Sequence, residues 1–141
     1  MKTLLLTTLF FLITSIAVAD YTIRSAYKFE NIDMIKNSDG SNIMNTTATG
    51  INAYSTGDTV IIKCLVNLKN SILTGSCQGS DKDGDIEYTT VERDVSKGNK
   101  GIMRRVGGTG KYENKSSTCE YVVELTDFSV GVGYLTASCK E

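Results

Sequence analysis

Chemistry in this chain is left to carboxylates, tyrosine, lysine, cysteine or ordered water, because the 141-residue sequence contains no histidine. That absence excludes a Ser-His-Asp or Cys-His nucleophile, a zinc or haem held by imidazole, and a switch titrating near neutrality. The densest carboxylate group is Asp81, Asp83 and Asp85, within Gly79-Ser80-Asp81-Lys82-Asp83-Gly84-Asp85. Counted from Asp81, an EF-hand would take ligands at Asp83, Asp85 and Glu92, but its sixth place requires glycine and holds Ile86. No helical pattern flanks the stretch, and an Asp-Gly turn whose carboxylates bond their own backbone accounts for the same residues. Calcium therefore stays a secondary candidate at Asp81, Asp83 and Asp85, and no resident metal or other cofactor is expected. Gly107-Gly108-Thr109-Gly110-Lys111-Tyr112 has the glycine density of a phosphate loop, yet Lys111 is followed by Tyr112 where Ser or Thr belongs. Glycines so placed read as a bulge and a tight corner in a β chain.

The four cysteines, at 64, 77, 119 and 139, take their meaning from the start of the chain. Residues 1–19 carry Lys2, an apolar run from Leu4 to Val18, and Ala17-Val18-Ala19 before Asp20, the layout of a cleaved secretory signal peptide. The run is about 15 residues long and broken by Thr7, Thr8, Thr14 and Ser15, short of the ~20 needed to span a bilayer, so no membrane span is expected. Cleavage leaves a single domain, 20–141, with 14 basic against 16 acidic residues once Lys2 is removed. A balance so close to zero argues against a nucleic-acid partner held through its phosphates. Export, to a periplasm or outside the cell, implies an oxidising destination, where four cysteines in a short chain read as two disulfides.

Strand parity selects the pairing. In Val60-Ile61-Ile62-Lys63-Cys64-Leu65-Val66, Lys63 faces water and Val60, Ile62, Cys64 and Val66 share the other face. From Ile72, Thr74, Ser76 and Gln78 face out, which leaves Leu73, Gly75 and Cys77 inside. A two-residue turn at Asn70-Ser71 then sets Cys64 opposite Cys77 and Leu68 opposite Leu73. Near the end of the chain Cys119, Tyr121, Val123 and Leu125 form the inward set. A tight loop centred on Ser129 sets Cys119 opposite Cys139, Tyr121 opposite Ala137 and Val123 opposite Leu135. The expected disulfides are Cys64–Cys77 and Cys119–Cys139, each worth up to ~3 kcal/mol in the chain-entropy account.

The elements that must position these residues are strands almost throughout. Residues 21–29 alternate, with Tyr21, Ile23, Ser25, Tyr27 and Phe29 on one side. A turn-rich stretch follows at Asn37-Ser38-Asp39-Gly40, and residues 34–37 have room for one short helical turn. Further strands are expected near 42–51, whose faces the pattern leaves unassigned, and at 60–68, 72–78, 86–93, 101–106, 117–125 and 131–140. Arg104-Arg105 and Lys97 to Lys100 read as scattered surface charge, and sequons at Asn45 and Asn114 bear only on a host that glycosylates exported proteins. Eight short strands point to an all-β, single-domain, closed antiparallel barrel or a sandwich. An eight-stranded barrel is filled by side chains or holds one small ligand. Tyr21, Tyr27, Phe29 and Tyr121 fall on its inner face, either as an aromatic core or as the lining of a ligand cavity.

The order Cys77-x3-Asp81-x-Asp83-Gly84-Asp85, a strand, Gly101, Gly107-Gly108-Thr109-Gly110-Lys111-Tyr112 and Cys119 resembles the allene oxide cyclase barrel-like family, in its bacterial-type exported form. That family includes the plant cyclases and dirigent-type proteins; the matched stretch runs from Cys64 to Cys119. The resemblance implies an eight-stranded calycin-like β-barrel whose apolar interior binds a hydrophobic molecule. It carries over no catalytic residue, since the shared motifs are turns and bulges and a fold does not fix an activity. The leading expectation is a non-enzymatic exported barrel that binds a small apolar ligand or acts at the cell surface. The alternatives are a cofactor-free cyclase or isomerase acting on a hydrophobic intermediate in the cavity, and an interaction protein whose barrel core is filled.

Overall fold

Alternating burial along each strand wraps the chain into a barrel. The computed structural model describes residues 20–141, so the expected signal peptide, 1–19, lies outside the described residues. Eight strands follow in sequence: β1 (Tyr21–Lys36), β2 (Asn42–Tyr54), β3 (Thr59–Lys69), β4 (Ile72–Asp81), β5 (Ile86–Asp94), β6 (Lys100–Gly108), β7 (Ser117–Asp127) and β8 (Val132–Lys140). Each pairs antiparallel with its neighbours, and β8 returns to β1 to close the barrel. The protein is therefore an all-β, single-domain, eight-stranded antiparallel barrel, the closed one of the two architectures, barrel and sandwich, that the strand pattern left open.

Turn chemistry sets the register. Asn70 and Ser71 both take positive φ, 51° and 63°, making the two-residue hairpin whose twist matches its strands. Cys64 then faces Cys77 and Leu68 faces Leu73. Cys119 likewise faces Cys139, Tyr121 faces Ala137 and Val123 faces Leu135. Both expected disulfides are formed, across Cα separations of 4.0 and 3.9 Å.

Three bulges depart from simple alternation. Between Val123 and Leu125 the register slips, so Leu125 opposes Tyr134 and lies 63% exposed on the outer face, not in the inward set expected for it. One extra residue reverses every side chain beyond it. A second bulge, between Glu30 and Asp33, places Asn31 at a φ of 52°, and the Thr46 hydroxyl donates to the Glu30 carbonyl at 2.8 Å. Beyond it residues 34–36 remain strand, with Met34 opposite Met44 and Ile35 opposite Ile43, so the chain makes no helical turn there. The third bulge is at the expected glycines: Tyr88 opposes Gly107 and Thr89 opposes Arg105, with Gly107 at a φ of 139° that side chains disfavour. In β2 the inward positions are Thr46, Ala48, Asn52 and Tyr54.

Topology gives the barrel two unlike ends. The terminal end carries residues 20 and 141 and the β2–β3, β4–β5 and β6–β7 loops; the hairpin end carries the other four turns. Tyr21, Ile23, Tyr54, Val60, Cys119 and Cys139 belong to the larger buried cluster. A smaller one joins Ala48, Cys64, Val66 and Cys77, with Phe29, Leu73 and Val91 packed against it.

Candidate ligand cavity

The terminal end is plugged by charge and aromatic rings. Glu87, on β5, is 1% exposed, and Arg105, facing it from β6, is 7% exposed. Arg105 Nε donates to Glu87 Oε2 at 3.1 Å, and the Tyr54 hydroxyl donates to Glu87 Oε1. The guanidinium lies 5.3, 5.8 and 5.2 Å from the ring centroids of Tyr21, Tyr54 and Tyr112, within cation–π range of all three. Tyr21 hydrogen-bonds Ser117 Oγ at 2.6 Å. Burial first, then the neighbouring Glu87 charge, raises the Tyr54 pKa above the ordinary phenol value, so it remains a neutral donor. Arg105 had the sequence signature of surface charge and is instead central to the core. It occupies that place because its strand register with Cys119 and Ser117 turns Met103 and Arg105 inward.

A second knot seals the rim. Lys111 Nζ lies 2.6 Å from Asp58 Oδ1 and 2.8 Å from Asp81 Oδ2. These contacts raise the Lys111 pKa and pull both carboxyls below their ordinary value. Asp81 Oδ1 also accepts the backbone N–H groups of Asp83 and Asp85, at 2.8 and 3.0 Å, and the Asp85 carboxylate accepts the Lys111 N–H at 3.0 Å. The Asp-Gly motif thus acts as a turn lock. Among the described residues no three acidic or sulfur ligands converge as a metal site would require.

The interior of the hairpin half is different in kind. A cavity of about 90 Å³ opens there, walled by Phe29, Ala48, Val91, Met103, Val123 and Leu135 and floored by Ser25, Asn52 and Thr89. The Cys64–Cys77 bridge forms part of its side. Tyr27 and Phe29 meet edge to face, their centroids 5.3 Å apart. Their neighbour Tyr121 is pushed up to about 12, mainly by burial, with the Arg93 charge opposing the shift. Two absent Cβ atoms make room for these phenols: the Tyr27 ring lies against Gly133 and the Tyr121 ring against Gly101, where any side chain would collide. Of the four aromatic candidates, Tyr27, Phe29 and Tyr121 therefore line this cavity. Tyr21 does not; it belongs to the plug at the terminal end, where it lines a separate pocket of about 140 Å³.

Two cavity atoms are buried without a hydrogen-bond partner, Asn52 Oδ1 and Arg93 Nε. Orphans of this kind are uncommon and costly in folded proteins. Neither residue stands out in the sequence. Residues 87, 89, 91 and 93 point inward and 86, 88, 90 and 92 outward, and both sets mix polar with apolar residues, so hydrophobic alternation is silent there. The available clue was register, since Glu87 lies opposite Gly79 on the strand whose Cys77 is inward.

Around the mouth, Ile32, Met34 and Ile35 on β1 and Phe128 and Val130 beside β8 are exposed. No described helix is long and apolar enough to cross a membrane. No family model matches the chain, and no curated protein matches it.

Proposed function

We propose that the protein is an exported, disulfide-stapled β-barrel that receives a small apolar ligand through its hairpin end. The observation that carries this reading is the cavity of about 90 Å³ between Phe29, Val91, Met103 and Leu135, open at one end and plugged at the other. It is smaller than the ~150 Å³ apolar cavity that accepts benzene, so the ligand is compact or inserts only one end. Export rests on the signal-peptide pattern of residues 1–19 together with two disulfides, which suit an oxidising compartment. Kinship with the allene oxide cyclase barrel-like family is part of the proposal, and the closed eight-stranded barrel agrees with it. No carboxylate lines the cavity, so a cyclase or isomerase reading has only hydroxyls, the Asn52 amide and Arg93 to work with, and we assign it no step.

Titration of isotope-labelled protein with 1-hexanol, followed by amide NMR, tests the reading. Shifts confined to residues around Ala48, Val91 and Leu135 are expected, and they should vanish in cavity-filling Ala48→Leu or Val91→Phe. Absence of shifts in the unaltered protein, or shifts that persist in both folded variants, would refute it. A second reading, action at a cell surface through a protein contact, draws on the exposed tips at Ile35, Phe128 and Val130.

A further inference from the structure

The mouth of the cavity carries a positive charge with nothing to balance it. Arg93 occupies the last inward position of β5, opposite Leu73 at the hairpin end, and forms part of the cavity wall. Its Nε is buried and bonded to no acceptor. Among the described residues no carboxylate lies within ion-pair distance of it, although the protein's other inward arginine, Arg105, is matched by Glu87 at 3.1 Å. A partly desolvated cation without a partner is costly, and this one stands at the cavity mouth. The polar groups closest in character are the Tyr27 and Tyr121 hydroxyls, and Tyr121, at about 12, stays protonated at neutral pH. Arginine N–H groups and phenol O–H groups can all donate, and an oxyanion accepts from all of them.

We propose that the ligand is a compact organic monocarboxylate, its carboxylate seated on Arg93 beside Tyr27 and Tyr121 and its apolar body in the cavity. One guanidinium balances one negative charge, and its fork fits the two oxygens of a carboxylate. The space beyond is too small for a large headgroup and is walled by Ala48, Val91, Met103 and Leu135, which fit a short or branched hydrocarbon. At the base the buried Asn52 Oδ1 lacks a donor, so a hydroxyl at the far end of the ligand would gain a hydrogen bond there. This assignment rests on the cavity reading above and adds the charge of the ligand to it.

The test compares hexanoate with 1-hexanol, equal in chain length and different in charge, by calorimetry and amide NMR on the oxidised protein at pH 7. Hexanoate is expected to bind at least about tenfold more tightly, the lower end of what a charge-assisted hydrogen bond contributes. Arg93→Gln should erase that preference by weakening hexanoate, and Arg93→Lys should retain part of it. The preference should also fade as pH falls and hexanoate itself protonates, a readout that needs no variant. Equal binding of the two, or a preference that survives Arg93→Gln, overturns the charge assignment and leaves the cavity reading intact. Failure of both compounds to bind overturns both.

Discussion

Removing the Arg105 charge isolates the interaction that plugs the barrel. In Arg105→Met, Glu87 keeps only the Tyr54 hydroxyl as a partner while remaining 1% exposed, so a carboxylate is stranded in the core. Breaking a buried pair from one side costs about 3–5 kcal/mol. The change also removes the guanidinium from three tyrosine rings at 5.2–5.8 Å, adding roughly 0.5–1 kcal/mol for each ring that is well placed. A domain of this length has about 6–18 kcal/mol of stability in all, at ~0.05–0.15 kcal/mol per residue. The variant should therefore lose between about a fifth of it and all of it. Pairing the change with Glu87→Met removes the stranded charge, leaving an unpaired Tyr54 hydroxyl at about 1–3 kcal/mol. The double variant should accordingly be more stable than Arg105→Met alone, with a coupling energy of at least about 2 kcal/mol. Urea unfolding followed by circular dichroism, with the disulfides oxidised, measures the whole cycle. If the two single losses simply add, within about 0.5 kcal/mol, the pair is not coupled and the argument that charge organises this end is wrong.

Three further outcomes follow from the same geometry. Replacing Cys64 and Cys77 by Ala, or Cys119 and Cys139, opens loops with sequence separations of 13 and 20 and should cost about 3 kcal/mol in each case, read by urea midpoint; losses below about 1 kcal/mol would contradict the cross-link argument. Asp58 and Asp81 have folded pKa values below their ordinary value because of Lys111, so their contribution is full above that value and disappears as pH falls through the folded one. The melting temperature should thus drop below about pH 4, less steeply in Lys111→Met, where the serine-bonded Asp39, Asp94 and Asp127 still contribute; an unchanged acid limb in that variant would argue against the knot. Leu125→Lys, on the outer face beyond the bulge, should change stability by no more than about 0.5 kcal/mol, whereas Val123→Lys in the cavity wall should lose several times that; equal losses would refute the bulge register.

Legibility in the sequence followed hydrophobic contrast. Where a strand alternates apolar with polar residues, as in 60–66 and 119–123, parity settled both faces and both disulfides. Where the contrast is weak, parity assigns no face. The strand at 42–54 buries Thr46, Asn52 and Tyr54 and exposes Ile51, which no hydropathy rule assigns. Arg105 was read as surface charge because charged residues are seldom buried, a tendency that holds unless a partner such as Glu87 is present. Bulges were the other limit. One extra residue at position 124 sent Leu125 outward, and it leaves only a single unpaired position in the pattern. The Gly107-Gly108 bulge could be anticipated because positive φ calls for glycine, a chemical signature the bulge at Glu124 lacks.

Closure of the barrel is unevenly secured, and this unevenness bears on how a ligand enters. Each disulfide joins strands that are already neighbours, β3 with β4 and β7 with β8, so neither crosses the β1–β8 seam. At the terminal end that seam is fastened by Asp20 N–H to the Cys139 carbonyl at 2.8 Å, by Glu141 N–H to Asp20 Oδ2 at 2.8 Å, and by Tyr21 against the Arg105 guanidinium. At the hairpin end pairing stops at Lys28 opposite Val132, with one further bond from Phe29 N–H to the Gly131 carbonyl at 2.6 Å. Beyond lie the bulge at Asn31 and the exposed Ile32, Met34 and Ile35, with little apolar burial to resist opening. Local opening should therefore start at the mouth of the cavity, where Phe29 and Leu135 could part without breaking the plug. Native-state hydrogen exchange checks this directly. Amides of residues 22–26 should exchange only with global unfolding, and those of 30–36 and 128–132 at several kcal/mol less, narrowing when hexanoate occupies the cavity. Uniform protection around the seam would mean that the barrel opens only as a whole, and that the ligand must enter without any parting of β1 from β8.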